Sequence, residues 1–394
     1  HIPGQESKVM TGEWEQVVQE LMKEDRFGSQ LNRKGFFKND VAGIVEKHSK
    51  PEQQMSAIYT LVQNTMRWNG KYGIYTTGPL RKAFESKTGS AAEVNLLLTA
   101  MLQEAGLDAA PVLVSTREHG RIYKGTPLLN KFNYVIAHVT IDGKEYLLDA
   151  TDPLLPLGML PVRSLNGEGH LVKPKAARWV ALKPSGLSQK FYNGNLVVNE
   201  QGQLTGEATE VSSGYRALYL RKDINEEGEA KYTENLNKEI GNYKISKPAF
   251  KYISDLNSSV ELKYKVEAAG SPQAVDVIYL NPMMGQGEKE NPFKLEKRFY
   301  PVDFAVPISE TFVCRFTIPD QYELEESPKS VKISLPNKGG SFIYMIEREG
   351  NVIEVMSKID IAKPIYYAEE YPYLKELYAQ IVAKHAEQLV LKRK

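Results

Sequence analysis

Apolar residues recur at helical spacing early in the chain and give way to alternation later, and this switch sets the expected architecture. Trp14, Val17, Val18 and Leu21 open a helical stretch over residues 12–47, broken at Gly28, Gly35 and Gly43. Pro51 suits a first helical position, and Met55, Ile58, Tyr59, Val62 and Met66 form the buried face that follows it. Residues 68–75 mix aromatics with glycines and read as a loop, and 79–86 as a short helix. The strongest stripe comes next: Val94, Leu97, Leu98, Met101, Leu102 and Ala105, with Asn95, Thr99 and Gln103 off it. Ser90 followed three residues later by Glu93 predicts a capping box at the start of that helix, and Gly106 ends it.

Alternation takes over after Gly106. Residues 110–116 read as a strand, 117–131 as a polar loop, and 132–141 and 144–149 as a hairpin turning at Asp142-Gly143. A two-residue turn sets Ile141 opposite Lys144. Tyr134, Ile136, His138, Leu147 and Asp149 then share one face, with Tyr134 and His138 both diagonal to Asp149 at roughly 7–8 Å. Pro174, Pro184 and Gly186 mark a linker, so the domains are expected at 1–175 and 176–394. The second is mainly β, with hairpin signals at Asn193-Gly194 and Gln201-Gly202, a helical patch over 214–243 and a boundary candidate at 281–293. A helix presenting Leu374, Leu377, Tyr378, Ile381, Val382 and His385 closes it.

Composition narrows the function classes. The 394 residues include 50 basic and 49 acidic side chains, a balance of +1 that points to neither nucleic acid nor an anionic membrane. No apolar run approaches a membrane span. Cys314 is the only cysteine, which leaves no intrachain disulfide and no cysteine-rich zinc site; its alternating surroundings read as a buried strand. His119 and His170 lack the spacing of a metal site, the acidic run at 225–229 lacks that of a calcium loop, and no phosphate-binding glycine motif is present. No metal or cofactor is expected. The chain opens His1-Ile2-Pro3-Gly4, without a signal peptide, and reads as a processed or trimmed piece.

Three motifs carry a family resemblance. Gly89-Ser90-Ala91-Ala92-Glu93-Val94-Asn95-Leu96-Leu97-Leu98, Phe132-Asn133-Tyr134-Val135-Ile136 and Leu147-Leu148-Asp149-Ala150-Thr151-Asp152-Pro153 together resemble the transglutaminase-like superfamily, relatives of papain-type cysteine peptidases. The resemblance implies an α+β fold: a helical lobe packed on an antiparallel sheet, followed by a β-rich, sandwich-like region with a terminal helix. It also implies an exported protein of the periplasm or cell envelope, of the kind found in Bacteroidetes-type bacteria. In that family the motifs deliver Cys, His and Asp. Here those positions hold Ala91, Tyr134 and Asp149, so only the third is intact.

A methyl group cannot attack a carbonyl, and a phenol with a pKa near ~10 is a poor base at neutral pH. A Cys→Ala exchange alone would explain the first departure but not the second. The reading is therefore a non-catalytic protein whose cleft, framed by Trp68, Tyr72, Ala91, Tyr134 and Asp149, binds a peptide, protein segment or glycopeptide. If Tyr134 and Trp68 fill that cleft, the domain is a scaffold. The alternative is a hydrolase or acyltransferase rebuilt from Ser90 as nucleophile, His138 as base and Asp149 as orienter.

Overall fold

The structure is a computed structural model that describes residues 14–394. The N-terminal tetrapeptide and the start of the first helical stretch at Gly12 lie outside the described residues. The chain divides into two compact units, His1–Ser185 and Gly186–Lys394.

The first unit is a helical lobe on an antiparallel sheet. Helices α1 (Trp14–Lys23), α2 (Gly28–Leu31), α3 (Lys38–Lys47) and α4 (Pro51–Thr65) bury the apolar faces expected of them, with Met55, Ile58, Tyr59 and Val62 inward on α4. Gly43 does not interrupt α3. A short parallel pair, β1 (Arg67–Trp68) with β2 (Thr88–Gly89), brackets the loop and helix α5 (Leu80–Ser86) between them. Helix α6 (Ala91–Glu104) then runs through the centre, and its first twelve residues are all buried.

The sheet has the order β5-β4-β3-β6-β7, from strands β3 (Asp108–Val114), β4 (Tyr134–Ile141), β5 (Lys144–Leu148), β6 (Gly167–Leu171) and β7 (Arg178–Leu182). Ile141 pairs with Lys144, the register that a two-residue turn imposes. Val135, Ala137, Val139 and Ile141 of β4 join the core shared with α4 and α6, while Tyr134, Ile136 and His138 take the opposite parity. The linker expected after 173 is shorter than its composition implied: β7 completes the sheet, so the unit runs on to Ser185.

The second unit is built on a mixed eight-stranded sheet. Strands β8 (Ser188–Val198) and β9 (Leu204–Gly214) form a hairpin, followed by helices α7 (Tyr215–Glu227) and α8 (Glu229–Glu239) and strands β10 (Tyr243–Lys251), β11 (Val260–Ala268) and β12 (Val277–Leu280). Then come β13 (Val302–Asp303), β14 (Ile308–Thr317), β15 (Tyr322–Glu326), β16 (Val331–Ser334), β17 (Gly340–Glu349), β18 (Val352–Ile361) and β19 (Ile365–Tyr366). The helix α9 (Tyr371–Ala386) buries Leu374, Leu377 and Ile381, and strand β20 (Leu389–Arg393) follows it. The large sheet runs β10-β11-β9-β8-β14-β18-β17-β16, with β8 and β14 parallel; β12-β20-β15 form a smaller one.

One hairpin signal fails. Asn193-Gly194 lies inside β8, paired with β9 and β14, rather than at a turn. Space decides it: a Cβ on Gly194 would sit 2.9 Å from the Cys314 sulfur and 3.0 Å from the Tyr192 ring. The acidic run at 225–229 is the junction of α7 and α8, hinged at Gly228. Cys314 is a fully buried strand residue.

Candidate functional site

The site is assembled where the start of α6 meets the ends of β4 and β5. The capping box forms as the spacing predicts: Glu93 N–H donates to Ser90 Oγ at 3.3 Å, and Ser90 N–H donates to the Glu93 carboxylate at 2.7 Å. The other Glu93 oxygen accepts from the Thr77 amide and hydroxyl at 2.9 and 2.7 Å. Burial opposes the Glu93 charge, but these bonds from Thr77 and Ser90 outweigh it and hold the carboxyl below its ordinary range. The Ser90 oxygen is thus committed to the helix.

Ala91, the first residue of α6, has no exposed surface. Its amide, one of the unpaired donors of a helix N-terminus, is taken by the Lys71 carbonyl at 3.0 Å. The same carbonyl accepts from the Trp68 indole at 3.0 Å, and Gly73 N–H donates to the Asn133 carbonyl at 2.6 Å. The 69–73 loop is therefore fastened across the helix start, where a reacting group would otherwise find free N–H donors.

Asp149 lies just past β5 and is completely buried. One of its oxygens accepts from Asn95 Nδ2 at 3.0 Å, from the Thr151 amide at 3.0 Å and from the Thr151 hydroxyl at 2.7 Å; the other accepts from the Tyr134 hydroxyl at 2.9 Å. Three donors crowd one carboxylate oxygen and one holds the other, so the buried charge is met by four hydrogen bonds. Asn95 also accepts from the Ala150 amide at 2.9 Å and donates to the Val135 carbonyl at 2.8 Å, locking α6 to both strands.

Tyr134 has no exposed surface either. Its hydroxyl oxygen lies 2.8 Å from Thr151 Oγ1 and accepts from Arg163 Nε at 3.2 Å, while Arg163 Nη2 donates to Thr151 Oγ1 at 2.5 Å. The guanidinium also approaches Asp149 at 3.9 Å. It lies 4.5 Å from the Trp68 ring centroid and 5.5 Å from that of Tyr134, a cation–π arrangement. Burial, then the Asp149 charge, push Tyr134 ionisation well above the ordinary phenol value. Burial works against the Arg163 charge, but Asp149, Tyr134 and Asp152 together outweigh it and raise its pKa. The phenol stays neutral and the guanidinium charged. Tyr72, edge-on to Trp68 at 5.4 Å and 46% exposed, is the outermost of these rings.

The structure brings Ala91, Tyr134, Asp149, Trp68 and Tyr72 into one neighbourhood and leaves His138 outside it. Sharing a sheet face did not bring His138 to Asp149. Its Nε2 lies 3.2 Å from Glu145, and Glu145 also pairs with Arg178. Burial, followed by the Arg178 charge, lowers the His138 pKa to about 4, so the ring is neutral and weakly basic at pH 7. Ser90, His138 and Asp149 thus each have other partners. Arg163 and Thr151 were missing from the sequence reading. Thr151 lies inside the third motif, whereas Arg163 sits in a single 3-10 turn, Val162–Ser164, whose sequence carries no periodic signal. Among the described residues no group of three or more His, Cys, Asp or Glu side chains is placed to hold a metal. No helix there is long and apolar enough to cross a membrane.

With this geometry in hand, comparison with known proteins bears on the fold. Residues 39–149 match the model of the Transglutaminase-like superfamily, and residues 276–391 match that of a domain of unknown function with a solved structure, DUF3858. The fold is similar to the crystal structure of a "putative protease" from Parabacteroides distasonis, with a TM-score of 0.52 and 15% identity over 96% of this chain. The chain spans 58% of the length of that protein, and at such identity the likeness speaks for fold alone. No curated protein matches the sequence. The first unit is a transglutaminase-like domain of papain-like fold, and the chain is multidomain, with a β-rich second unit.

Proposed function

We propose that this chain is a non-catalytic transglutaminase-like protein of the bacterial cell envelope, and that its first unit is a scaffold in which the former reaction centre has become a polar core. One observation carries the reading: the two positions where the family keeps nucleophile and base hold a methyl and a phenol, and neither has exposed surface. Tyr134 occupies the imidazole's place against Asp149, but a neutral, buried phenol neither takes a proton from a nucleophile nor passes one to a leaving group. The envelope location comes from the family resemblance. A second reading keeps a ligand at the rim: Tyr72, nearly half exposed beside Trp68, offers a face to a peptide, protein segment or glycopeptide.

Transamidase and peptidase assays of the protein beside an Ala91→Cys, Tyr134→His double variant test this, together with a fluorophosphonate probe for Ser90. The protein itself is expected to show no turnover and no labelled serine. The double variant is expected to stay inactive, because its new groups would be enclosed. Turnover by the unmodified protein would overturn the reading. Activity in the double variant alone would show an open, disarmed cleft and favour the ligand-binding form.

A further inference from the structure

The segment joining β12 to β13, residues 281–301, has no regular structure, yet its first half is firmly held. Asn281 Nδ2 donates to the His385 carbonyl at 2.9 Å, and Asn291 Nδ2 to the Lys375 carbonyl at 2.8 Å. Phe293 is buried edge-on against Tyr371 and Tyr378. The Leu295 carbonyl accepts from the Tyr371 hydroxyl at 2.7 Å and from Lys375 Nζ at 2.9 Å. These anchors all lie on α9, and Tyr243 and Glu239 hold the segment from elsewhere through Asn281 and Lys289. Beyond Leu295 the chain leaves this support and presents Phe299, 90% exposed, and Tyr300, 80% exposed. Phe299 is the most exposed large apolar side chain among the described residues.

A single exposed ring needs no explanation, but a cluster does. Leu295 is 61% exposed at the base of the same projection. Val302 pairs with Tyr366, which sets Pro301 opposite Tyr367, and Tyr367 is itself mostly exposed. Lys297 and Arg298 precede the Phe–Tyr pair and outweigh Glu296, and neither has a carboxylate partner among the described residues. Arg298 lies 5.9 Å from the Tyr371 ring centroid.

We infer that this loop is a membrane-surface anchor, which inserts Phe299 and Tyr300 among the headgroups and outer acyl carbons of an anionic bilayer. Aromatic rings prefer that layer, and adjacent Lys and Arg are drawn to anionic lipid. Shape agrees. Rings that are 80–90% exposed stand on a convex tip, which suits a deformable lipid interface, and the braced stem lets the tip enter without loss of structure in α9. The near-neutral balance of the whole chain hides this local arrangement. Glu369, beside Tyr367, limits the positive field, so the rings contribute more than the charges.

Flotation of the full chain with vesicles of phosphatidylethanolamine and phosphatidylglycerol, against phosphatidylcholine alone, tests the proposal. The protein should float with the anionic vesicles. Phe299→Ser with Tyr300→Ser should weaken partitioning roughly tenfold or more, and Lys297→Glu with Arg298→Glu by a smaller factor seen only on anionic lipid. Phe299, Tyr300 and Lys297 are exposed and Arg298 is half-buried over the Tyr371 ring, so thermal unfolding should match the parent for the ring pair and fall only slightly for the charge pair. A Phe299→Trp variant should show blue-shifted emission with vesicles and quenching by brominated lipid. Absence of flotation would overturn the inference, as would flotation indifferent to both double variants. So would self-association, or lipid-free capture of a protein partner, that is lost in Phe299→Ser with Tyr300→Ser, because the tip would then be a protein interface.

Discussion

At the scale of single residues, the Tyr134 phenol is one fixed donor in a buried polar cluster. The Tyr134 hydroxyl donates to Asp149 and accepts from Arg163, so its removal would leave a buried carboxylate short of one donor and a guanidinium short of one acceptor. Tyr134→Phe is therefore expected to destabilise the first unit by about 1–3 kcal/mol. Asp149→Ala, which strands Asn95, Thr151, Tyr134 and Arg163 together, should cost about 3–5 kcal/mol. Urea unfolding followed by tryptophan fluorescence measures both; a neutral or stabilising Tyr134→Phe would show that the cluster is not structural. The same proton accounting disposes of a serine–histidine pair in the second unit. Ser357 Oγ lies 2.9 Å from His385 Nε2, but His385 Nδ1 accepts from the Glu288 amide at 2.9 Å. The neutral ring's proton therefore sits on Nε2, where it is donated to Ser357, and that nitrogen cannot serve as base toward the hydroxyl.

At the scale of elements, the parts that were legible are those whose side chains report burial directly. The stripes of α4 and α6, the capping box, and the β4–β5 register follow from spacing alone. The hidden strand positions share one cause, glycine selected by a neighbour's volume instead of by a turn. A Cβ on Gly169 would lie 2.6 Å from Val112 Cγ1 and 2.9 Å from the Leu113 carbonyl, so β6 needs glycine where β3 crosses close to it. In sequence, Gly167-Glu168-Gly169 offers no strand pattern, and β6 with β7 went unread. Gly194 is the parallel case in β8, read as a turn because asparagine precedes it. Arg163 was illegible for another reason: its position depends on the path of the chain after β5. If packing selects Gly194, then Gly194→Ala should destabilise by about 1–3 kcal/mol. Pairing it with Cys314→Ala, which removes the sulfur 2.9 Å away, should recover part of that loss, so the double variant costs less than the two singles combined. Strict additivity in chemical unfolding would show that the sulfur contact is not what demands glycine.

At the scale of the whole molecule, the buried histidines make stability depend on pH, and the tryptophans allow the first unit to be followed alone. Trp14, Trp68 and Trp179, the chain's three tryptophans, all fall within it. His138 and His170 are buried there and His385 in the second unit, and burial lowers each pKa to about 4. His138 faces Glu145 and Arg178, with Asp108 and Lys173 further off; His170 stacks on Trp14 at 4.0 Å with Trp179 edge-on to it. In the unfolded chain a histidine titrates near ~6.5. Between pH ~6.5 and about 4 the unfolded state therefore binds protons that the folded state refuses. The stability these neutral rings contribute is complete above pH ~6.5 and is lost as pH falls through that window, by at most ~1.4 kcal/mol per pH unit for each ring. Each kcal/mol is worth roughly 2–4 °C in Tm for a unit of this size. Carboxylates add slopes of their own, so the informative quantity is the difference between the protein and His170→Phe, which keeps the aromatic stack but does not titrate. The Tm gap, read by tryptophan emission, is expected to shift in favour of His170→Phe as pH drops from 7 to 5. Parallel curves would mean that His170 is protonated as readily inside the fold as outside it, and that the ring between Trp14 and Trp179 is hydrated.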